Sequence, residues 1–525
     1  MSDMLTGKSI IGWKRGEGSD LAGRGVNPVD GSELDPPFIA ATDHEVGRAC
    51  ELAGAAFPHY AALSPARRAA FLRAMAARID AVGGALTERM TLETALPAGR
   101  AEGERGRTCG QLRMFADLIE EGSWADVRIE SARPERAPLP KPDLRSLWVP
   151  AGPVAVFCAG NFPLAFSVAG GDTASALAAG CPVVVNAHSG HPGTAELVGS
   201  AVVEAARETG MPEGVFSLLY GAGFSVGQRL VQHPAIRGVG FTGSRAGGTA
   251  LTALAAARPV PIPVFAEMSS ANPIFILENA LRERWGAIAT GLHASVTGGG
   301  GQFCTKPGLI FLVAGREADQ FVAKLGSLMA DTPACSLLNR GIAENFAAKR
   351  GRLGSIASVQ TVAEGAAQQA GLFLTNSRAW RKNGVLHEEV FGPSALVVVC
   401  ENNADLLASA ESLEGQLTAS LHAESGDSEV ARALLPVLAR KAGRVIHNGF
   451  PTGVEVCHAM IHGGPFPATS DGRSTSVGTS AITRWTRPVC FQNMPAALLP
   501  AELQDGNPRK LWRLVDGERS RSPRA

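Results

Sequence analysis

Residues 154–160, VAVFCAG, open a run of four short apolar segments that continues with VVVNAH at 183–188, VFSLLYG at 215–221 and IRGVGFTGS at 236–244. Alanine-rich stretches of helical character separate them, and glycine or proline stands at the joins, as in Gly180-Cys181-Pro182 and in GMPEG at 210–214. Strand-like units recurring at this interval with helices between them read as βαβ units and a parallel sheet. Such sheets bind ligands beyond the carboxyl ends of their strands. The informative positions are therefore Asn161, Asn186 and His188, Tyr220 to Gly223, and Thr242 to Ser244.

Towards the N-terminus, Ser64-Pro65 followed by Phe71, Leu72, Met75, Ile79 and Val82 supplies an N-cap, a proline at the first helical position and one apolar face. A second helix is predicted from about Glu102 to Glu121, aligning Arg107, Gln111, Met114 and Leu118 along one side. The proline-rich stretch SARPERAPLPKPDLRS, 131–146, breaks this regularity and reads as an extended arm or edge hairpin. Towards the C-terminus the pattern restarts after PVFAEMSSANP: a helix, a glycine run, the strand GLIFLVAG, further helices and the strand SALVVVC make a second α/β unit. The polar, basic GERSRSPRA at the end is predicted to be a frayed tail.

The 525 residues call for two or three domains. Hydrophobic and charged fractions of 45 % and 19 % are those of an ordinary globular chain. Lysine plus arginine equals aspartate plus glutamate at 49 each, so no overall field draws in nucleic acid or an anionic membrane. The first twenty residues lack an apolar core behind a basic segment, and no run of about eighteen apolar residues occurs anywhere. A soluble cytoplasmic protein is expected. Nine cysteines without a CxxC pair argue against a disulfide framework or a thiol-rich zinc site.

One cysteine has an unusual setting. Gly298 to Gly301 run directly into GQFCTKPG, 301–308, although each glycine costs about 0.5–1 kcal/mol in ordered structure. The run is either a linker beside a buried thiol or a loop whose backbone approaches something closely. A cysteine nucleophile needs an activating neighbourhood, donors for an oxyanion and a group to deliver water. Glu267, in apolar surroundings, is expected to have its pKa raised towards that of a general base, and Asn161 offers an amide donor. Equally, Glu267 can cap a helix and Asn161 can make a turn. GFTGS, between a strand and a helix, is either a phosphate site or a plain turn. His188/His191 and His458/His462 have spacings a turn or helix can close, but neither pair has a carboxylate in a recognisable zinc motif, and no metal is expected.

Six motifs then fall in register. NFPL at 161–164, GFTGS, Glu267 before SSANP, GQFC, EEVFGP at 388–393 and Asn448 occur in the order and at the spacing of the aldehyde dehydrogenase superfamily, which the chain resembles over nearly its whole length. GQFCTKPG and the stretch from Phe450 to Ile482 are similar to the branch acting on α-ketoglutaric semialdehyde, itself similar to NADP-dependent fatty aldehyde dehydrogenases.

The resemblance implies an α/β fold with a Rossmann-like cofactor domain (1–126 and 151–262), a catalytic α/β domain (263–478), a small β oligomerisation arm with a C-terminal strand (127–150 and 479–510) and a tail (511–525). It makes Cys304 the nucleophile, Asn161 and the Cys304 backbone N–H the oxyanion donors, and Glu267 the base that activates water. For NAD(P)+ it marks Phe157 to Ala159 as crevice backbone, Gly243 and Ser244 near the pyrophosphate, Glu389 on the nicotinamide ribose and Phe391 beside the ring. Asn186 replaces the family lysine that binds the adenosine ribose, a loss of about 1–3 kcal/mol in cofactor binding. Ser189 replaces a glutamate common in NAD-specific members, which leaves NADP+ open. Arg107, Phe162, Phe166 and Thr452, in the loop Phe450 to Val454, are implied to line the substrate tunnel, with Arg107 taking a substrate carboxylate. The implied reaction converts α-ketoglutaric semialdehyde to 2-oxoglutarate. The alternatives are a broad or fatty aldehyde dehydrogenase and, because of Asn186, a weakly active homologue serving as a scaffold. A homodimer or homotetramer joined through Val127 to Leu147 and Thr479 to Met494 is implied, with no nucleic acid or membrane partner.

Overall fold

Every residue of the strands Val154–Phe157 and Phe216–Leu219 is buried, as is most of Val183–Asn186, which is what apolar runs without a polar face require. In the computed structural model, which describes residues 5–365 and 368–524, these strands run parallel in a seven-stranded sheet. Its order is Val264–Glu267, Gly238–Thr242, Val154–Phe157, Val183–Asn186, Phe216–Leu219, Ile10–Ile11 and Lys14–Arg15, the last two antiparallel. Alternate side chains go to opposite faces. Val154, Val156, Val183 and Val185 join the core beneath helices Pro65–Val82, Gly171–Ala179 and Pro192–Glu208. Ala155, Val184, Leu219 and Val239 join the core beneath Asp43–Ala61 and Ser225–Gln232.

A second seven-stranded sheet, parallel except at one edge, runs in the order Gln360–Glu364, Gly371–Asn376, Ser394–Cys400, Leu309–Val313, Ile274–Ile276, Gln416–His422 and Ala442–His447. The two predicted α/β units are thus both present. Val264–Glu267 belongs to the first sheet, so that sheet extends past residue 262. Glu267 ends its edge strand.

Ser64 caps Pro65–Val82 as predicted, its Oγ accepting from the Arg67 N–H. The second helix, Ala98–Glu121, starts a turn before the predicted Glu102. Gly99, Gly103, Gly106 and Gly110 lower its intrinsic propensity, and tertiary burial of Ala101, Glu104, Thr108, Gln111 and Phe115 supplies what propensity does not. The proline-rich stretch forms the turn of an antiparallel pair, Arg128–Glu130 with Leu144–Pro150, in a third sheet with Thr486–Gln492.

The tail expectation is overturned. Arg513–Val515 and Glu518–Ser520 form a hairpin that extends this third sheet, and Leu511 is buried with Val127, Leu147, Leu499 and Leu503. Its polarity misleads because the arginines bond internally: Arg513 donates to the Gln504 and Asp505 carbonyls, and Arg524 to Asp505 and Ser131. Met1 to Met4 of the opening segment and Ala525 of the tail lie outside the described residues. Among the described residues no helix is long and apolar enough to cross a membrane.

Candidate active site

Cys304 follows the helix Glu278–Thr297 and a tight turn, Gly298–Gly301, and precedes the strand Leu309–Val313. Gly299, Gly300 and Gly301 all take left-handed backbone, with φ of 58°, 66° and 67°, which answers why glycine is used there. A Cβ on Gly301 would lie 2.3 Å from the Gly392 carbonyl carbon. The run is therefore a close approach between two backbone segments. Below it, Asn272 Nδ2 donates to the Cys304 carbonyl (2.8 Å) and the Lys306 carbonyl (3.0 Å), clamping the loop from the other side.

Three reactive groups meet at the sulfur. His462 Nε2 lies 3.4 Å from Cys304 Sγ and 2.9 Å from Glu267 Oε1, while Ser476 Oγ donates to Glu267 Oε2 at 2.6 Å. Glu267 is placed by its strand end and by a bridge to Thr469, which also draws in the segment that carries His462 and Ser476. Burial pushes the Glu267 carboxyl up, but the His462 ring and the hydrogen bonds from His462, Ser476 and Cys304 outweigh it, and the net shift is downwards. The expectation of a raised Glu267 is therefore corrected: hydrogen bonds to the charged form win over desolvation. The Cys304 thiol lies well above the usual thiol range because of desolvation and the Glu267 carboxylate, with Arg107 opposing.

His462 and Ser476 were missed as functional residues. The histidine spacing speaks only to a zinc motif, which it does not match; His462 turns to Glu267 and Cys304 whereas His458 Nδ1 sits 3.3 Å from Thr479 Oγ1, and His188 stacks on His191. The Glu267 oxygen, Cys304 sulfur and His462 nitrogen lie within 4.8 Å of one another. These are donor types zinc accepts, but the hydrogen bonds above already account for their proximity.

A cavity of about 1060 Å³ opens on one side of Cys304 and is lined by Asn161, Ser189, Gly243, Ser244, Glu267, Glu389 and Phe391, among others. Asn161 Nδ2 donates one N–H to the Gln302 carbonyl at 2.9 Å, leaving its second amide hydrogen for a ligand. Ser244 caps the helix Arg245–Ala256, its Oγ accepting from Gly247 N–H, so an anion beside it meets a helix N-terminus. Burial raises the Glu389 carboxyl and lowers the Lys306 ammonium, each partly offset by the other. Lys306 donates to the Val390 and Ser394 carbonyls, fixing the segment that carries Glu389 and Phe391.

Three cofactor positions fall outside this lining. Phe157 packs edge-on against Phe241, the Ala159 carbonyl bonds His191 Nε2, and Asn186 ends its strand beside Gly227. Gly160 and Asn161 form the wall in their place.

A second cavity, of about 250 Å³, meets Cys304 from the other side, between Arg100, Arg107, Phe162, Phe166, Phe303 and His462. Thr452 is not among its walls: its Oγ1 lies 2.8 Å from Ser295 Oγ, and the adjacent Gly453 and Val454 line the space. Arg107 does not pair with Glu104. Glu104 Oε1 accepts from the Leu164 and Ala165 amides, and its other oxygen from Arg100. The Arg107 Nε and Nη2 groups are buried with no hydrogen-bond partner among the described residues.

Residues 16–342 match the model of the Aldehyde dehydrogenase family. The chain is 51 % identical over 521 residues to alpha-ketoglutaric semialdehyde dehydrogenase 2 of Azospirillum brasilense, covering 98 % of this chain and 99 % of that protein. It is 46 % identical to the alpha-ketoglutaric semialdehyde dehydrogenase of Acinetobacter baylyi, covering 97 % and 98 %. Its fold matches solved lactaldehyde dehydrogenase with a TM-score of 0.78 at 21 % identity, covering 92 % of this chain and 98 % of that one. It also matches 3,6-anhydro-L-galactose dehydrogenase in complex with NAP, with a TM-score of 0.78 at 20 % identity, covering 92 % and 99 %.

Proposed function

The chain belongs to the aldehyde dehydrogenase family and is an NAD(P)-dependent aldehyde dehydrogenase, and from that membership we propose that its substrate is α-ketoglutaric semialdehyde (2,5-dioxopentanoate), oxidised to 2-oxoglutarate. The observation that carries this reading is the Arg107 guanidinium. Nε and Nη2 form one edge of the fork, the edge that takes a carboxylate side-on; both are buried without a hydrogen-bond partner among the described residues, in a side chain that lines the cavity meeting Cys304. A desolvated cation whose donors lack partners is satisfied by an anionic ligand. The 51 % and 46 % identical relatives act on the semialdehyde their names state.

In the proposed reaction Cys304 attacks the aldehyde carbon while its proton passes to the Glu267 carboxylate it faces, so that no free thiolate has to build up against the raised thiol pKa. The second Asn161 N–H and the Cys304 backbone N–H hold the oxyanion. Bound NAD(P)+ supplies the hydride acceptor that lets this adduct on sulfur become a thioester. Glu267, steadied by His462 and Ser476, gives that first proton up to solvent and, as carboxylate again, takes a proton from the water that attacks the thioester; passing it to the departing Cys304 sulfur regenerates the thiol as the carboxylic acid leaves. The larger cavity suits a dinucleotide through the helix N-terminus at Ser244 and the Glu389 carboxylate. Ser189 sets no carboxylate against a 2′-phosphate there, so NADP+ is admitted beside NAD+.

The test is a set of aldehydes of equal length, acidic and neutral, assayed with NAD+ and NADP+ separately. The wild-type chain is expected to favour 2,5-dioxopentanoate over pentanal. Arg107→Ala should raise the KM for the acidic aldehyde about tenfold to a hundredfold, the equivalent of about 1.5–3 kcal/mol for a charge-assisted hydrogen-bonded pair, and change pentanal far less. Equal changes for both aldehydes would remove the carboxylate reading.

A further inference from the structure

Arg100 lies two helical turns before Arg107, on the same face of the helix Ala98–Glu121. It is held from three sides. Its guanidinium carbon sits 4.6 Å from the Phe162 ring centre and 4.8 Å from that of Phe303, against two neighbouring aromatic rings. Its Nε donates to Glu104 Oε2 at 3.3 Å, and Glu104 is itself anchored by the Leu164 and Ala165 amides at 2.9 and 3.0 Å. The whole group is thereby tied to the loop that carries Asn161 and Phe162. Yet Nη2 of Arg100 is buried with no hydrogen-bond partner among the described residues.

The two arginines thus differ in what they can offer. Arg107 presents both donors of one fork edge, which matches two carboxylate oxygens. Arg100 has already given its Nε to Glu104, so that edge has a single donor left, which matches one acceptor oxygen. Both line the same cavity beside Cys304. A 2-oxo acid carries one carbonyl oxygen beside its carboxylate, and one donor is what the Arg100 edge has left to meet it.

We propose that Arg100 is a specificity-determining residue that reads the 2-oxo group, with Arg107 holding the carboxylate, so that the cavity selects 2-oxo-acid semialdehydes over simple ω-oxo acids. This rests on the substrate reading above. An analogue with a methylene at position 2 leaves the Arg100 donor buried and unmatched, which is a stronger source of discrimination than shape alone.

The experiment compares kcat/KM for 2,5-dioxopentanoate, 5-oxopentanoate and pentanal in the wild-type chain, Arg100→Met and Arg107→Met. The wild-type ratio of 2,5-dioxopentanoate to 5-oxopentanoate is expected to be tenfold or more. It should collapse towards one in Arg100→Met and persist in Arg107→Met. The ratio of 5-oxopentanoate to pentanal should behave in the opposite way, collapsing only in Arg107→Met. Arg100→Gln, which keeps an N–H donor without the charge, should recover part of the 2-oxo preference; it also provides the comparison if the methionine variant does not fold. A 2-oxo preference that survives both Arg100 substitutions would overturn the assignment. So would a loss of equal size for all three aldehydes, which would make Arg100 a packing residue acting through Glu104 and Phe162. A failure confined to Arg107→Met would overturn the carboxylate reading instead, because the 2-oxo ratio is read independently of it.

Discussion

Glu267 receives donors from residues 195 and 209 positions further along the chain, the His462 ring and the Ser476 hydroxyl. Their effect, with that of the Cys304 thiol, overcomes burial and holds the carboxyl below the ordinary carboxylate range. The sign matters for both stability and rate. A carboxyl whose folded pKa is depressed contributes stability that is fully present above its unfolded value and is lost as pH falls through the folded one. The base form of Glu267 therefore persists well into mildly acidic solution. His462→Phe removes the largest of the lowering influences, so Glu267 should titrate at higher pH. The acid limb of kcat should move in the alkaline direction, with kcat at neutral pH falling about tenfold or more. An acid limb that stays in place or moves to lower pH in a folded His462→Phe chain would show that His462 does not set the state of Glu267. Cys304 and Glu267 were legible from the motifs around them. His462 was visible only as half of a histidine pair, because the contact that gives it meaning spans nearly two hundred residues and carries no local pattern.

The turn Gly298–Gly301 shows how an element carries function. Its left-handed residues fold the chain back so that Gly301, three residues before Cys304, lies against the Gly392 backbone, one residue after Phe391 and three after Glu389. The turn thus sets the distance between the nucleophile and the segment assigned to the cofactor. Gly301→Ala meets two obstacles: a left-handed φ of 67°, worth about 1–2 kcal/mol for an L-residue, and a Cβ 2.3 Å from the Gly392 carbonyl carbon. Because backbone is the obstacle, no side chain can swing away to relieve it. Gly301→Ala should lower the melting temperature and reduce kcat/KM by about a hundredfold or more, since a displacement of about 1 Å is enough for that loss. Gly298→Ala is the control. That residue has φ of −53° and its added Cβ would meet only the Phe303 ring at 3.7 Å, so stability and turnover should stay near wild type. If the two variants behave alike, the close approach does not position Cys304. The glycine run was readable as a place where backbone comes near something, but its partner in EEVFGP lay ninety residues away. The strands were readable from apolar runs, and the Ser64-Pro65 helix start from its cap. The start of Ala98–Glu121 was not, since four glycines hide a helix that packing sustains.

At the scale of the molecule, Glu267 ends an edge strand of the first sheet, Cys304 leads into a central strand of the second, and the arm sheet forms a third layer whose edge strand is Thr486–Gln492. We propose that this edge, with the hairpin from Val127 to Leu147, joins copies of the chain, as an unpaired edge strand is a template for another chain. The C-terminal hairpin then acquires a purpose. Arg513–Val515 pairs in parallel with Arg128–Glu130 at the side of the sheet away from Thr486–Gln492, and Leu511, 1 % exposed, closes the small core beneath it. A chain ending at Lys510 loses the hairpin and opens that core. Burial of a leucine contributes about 1.5–3 kcal/mol, and the Gln504 and Asp505 carbonyls lose the Arg513 donors as well. The truncated chain should melt several degrees lower than the full one, and its mass in solution should shift towards monomer, because the sheet that presents the outer strand is no longer braced from behind. Cys304, in a different layer, should still be labelled once per folded chain by an aldehyde analogue. Light scattering and thermal denaturation decide the matter. A truncated chain with unchanged melting temperature and unchanged mass would return residues 511–524 to the status of a loose end.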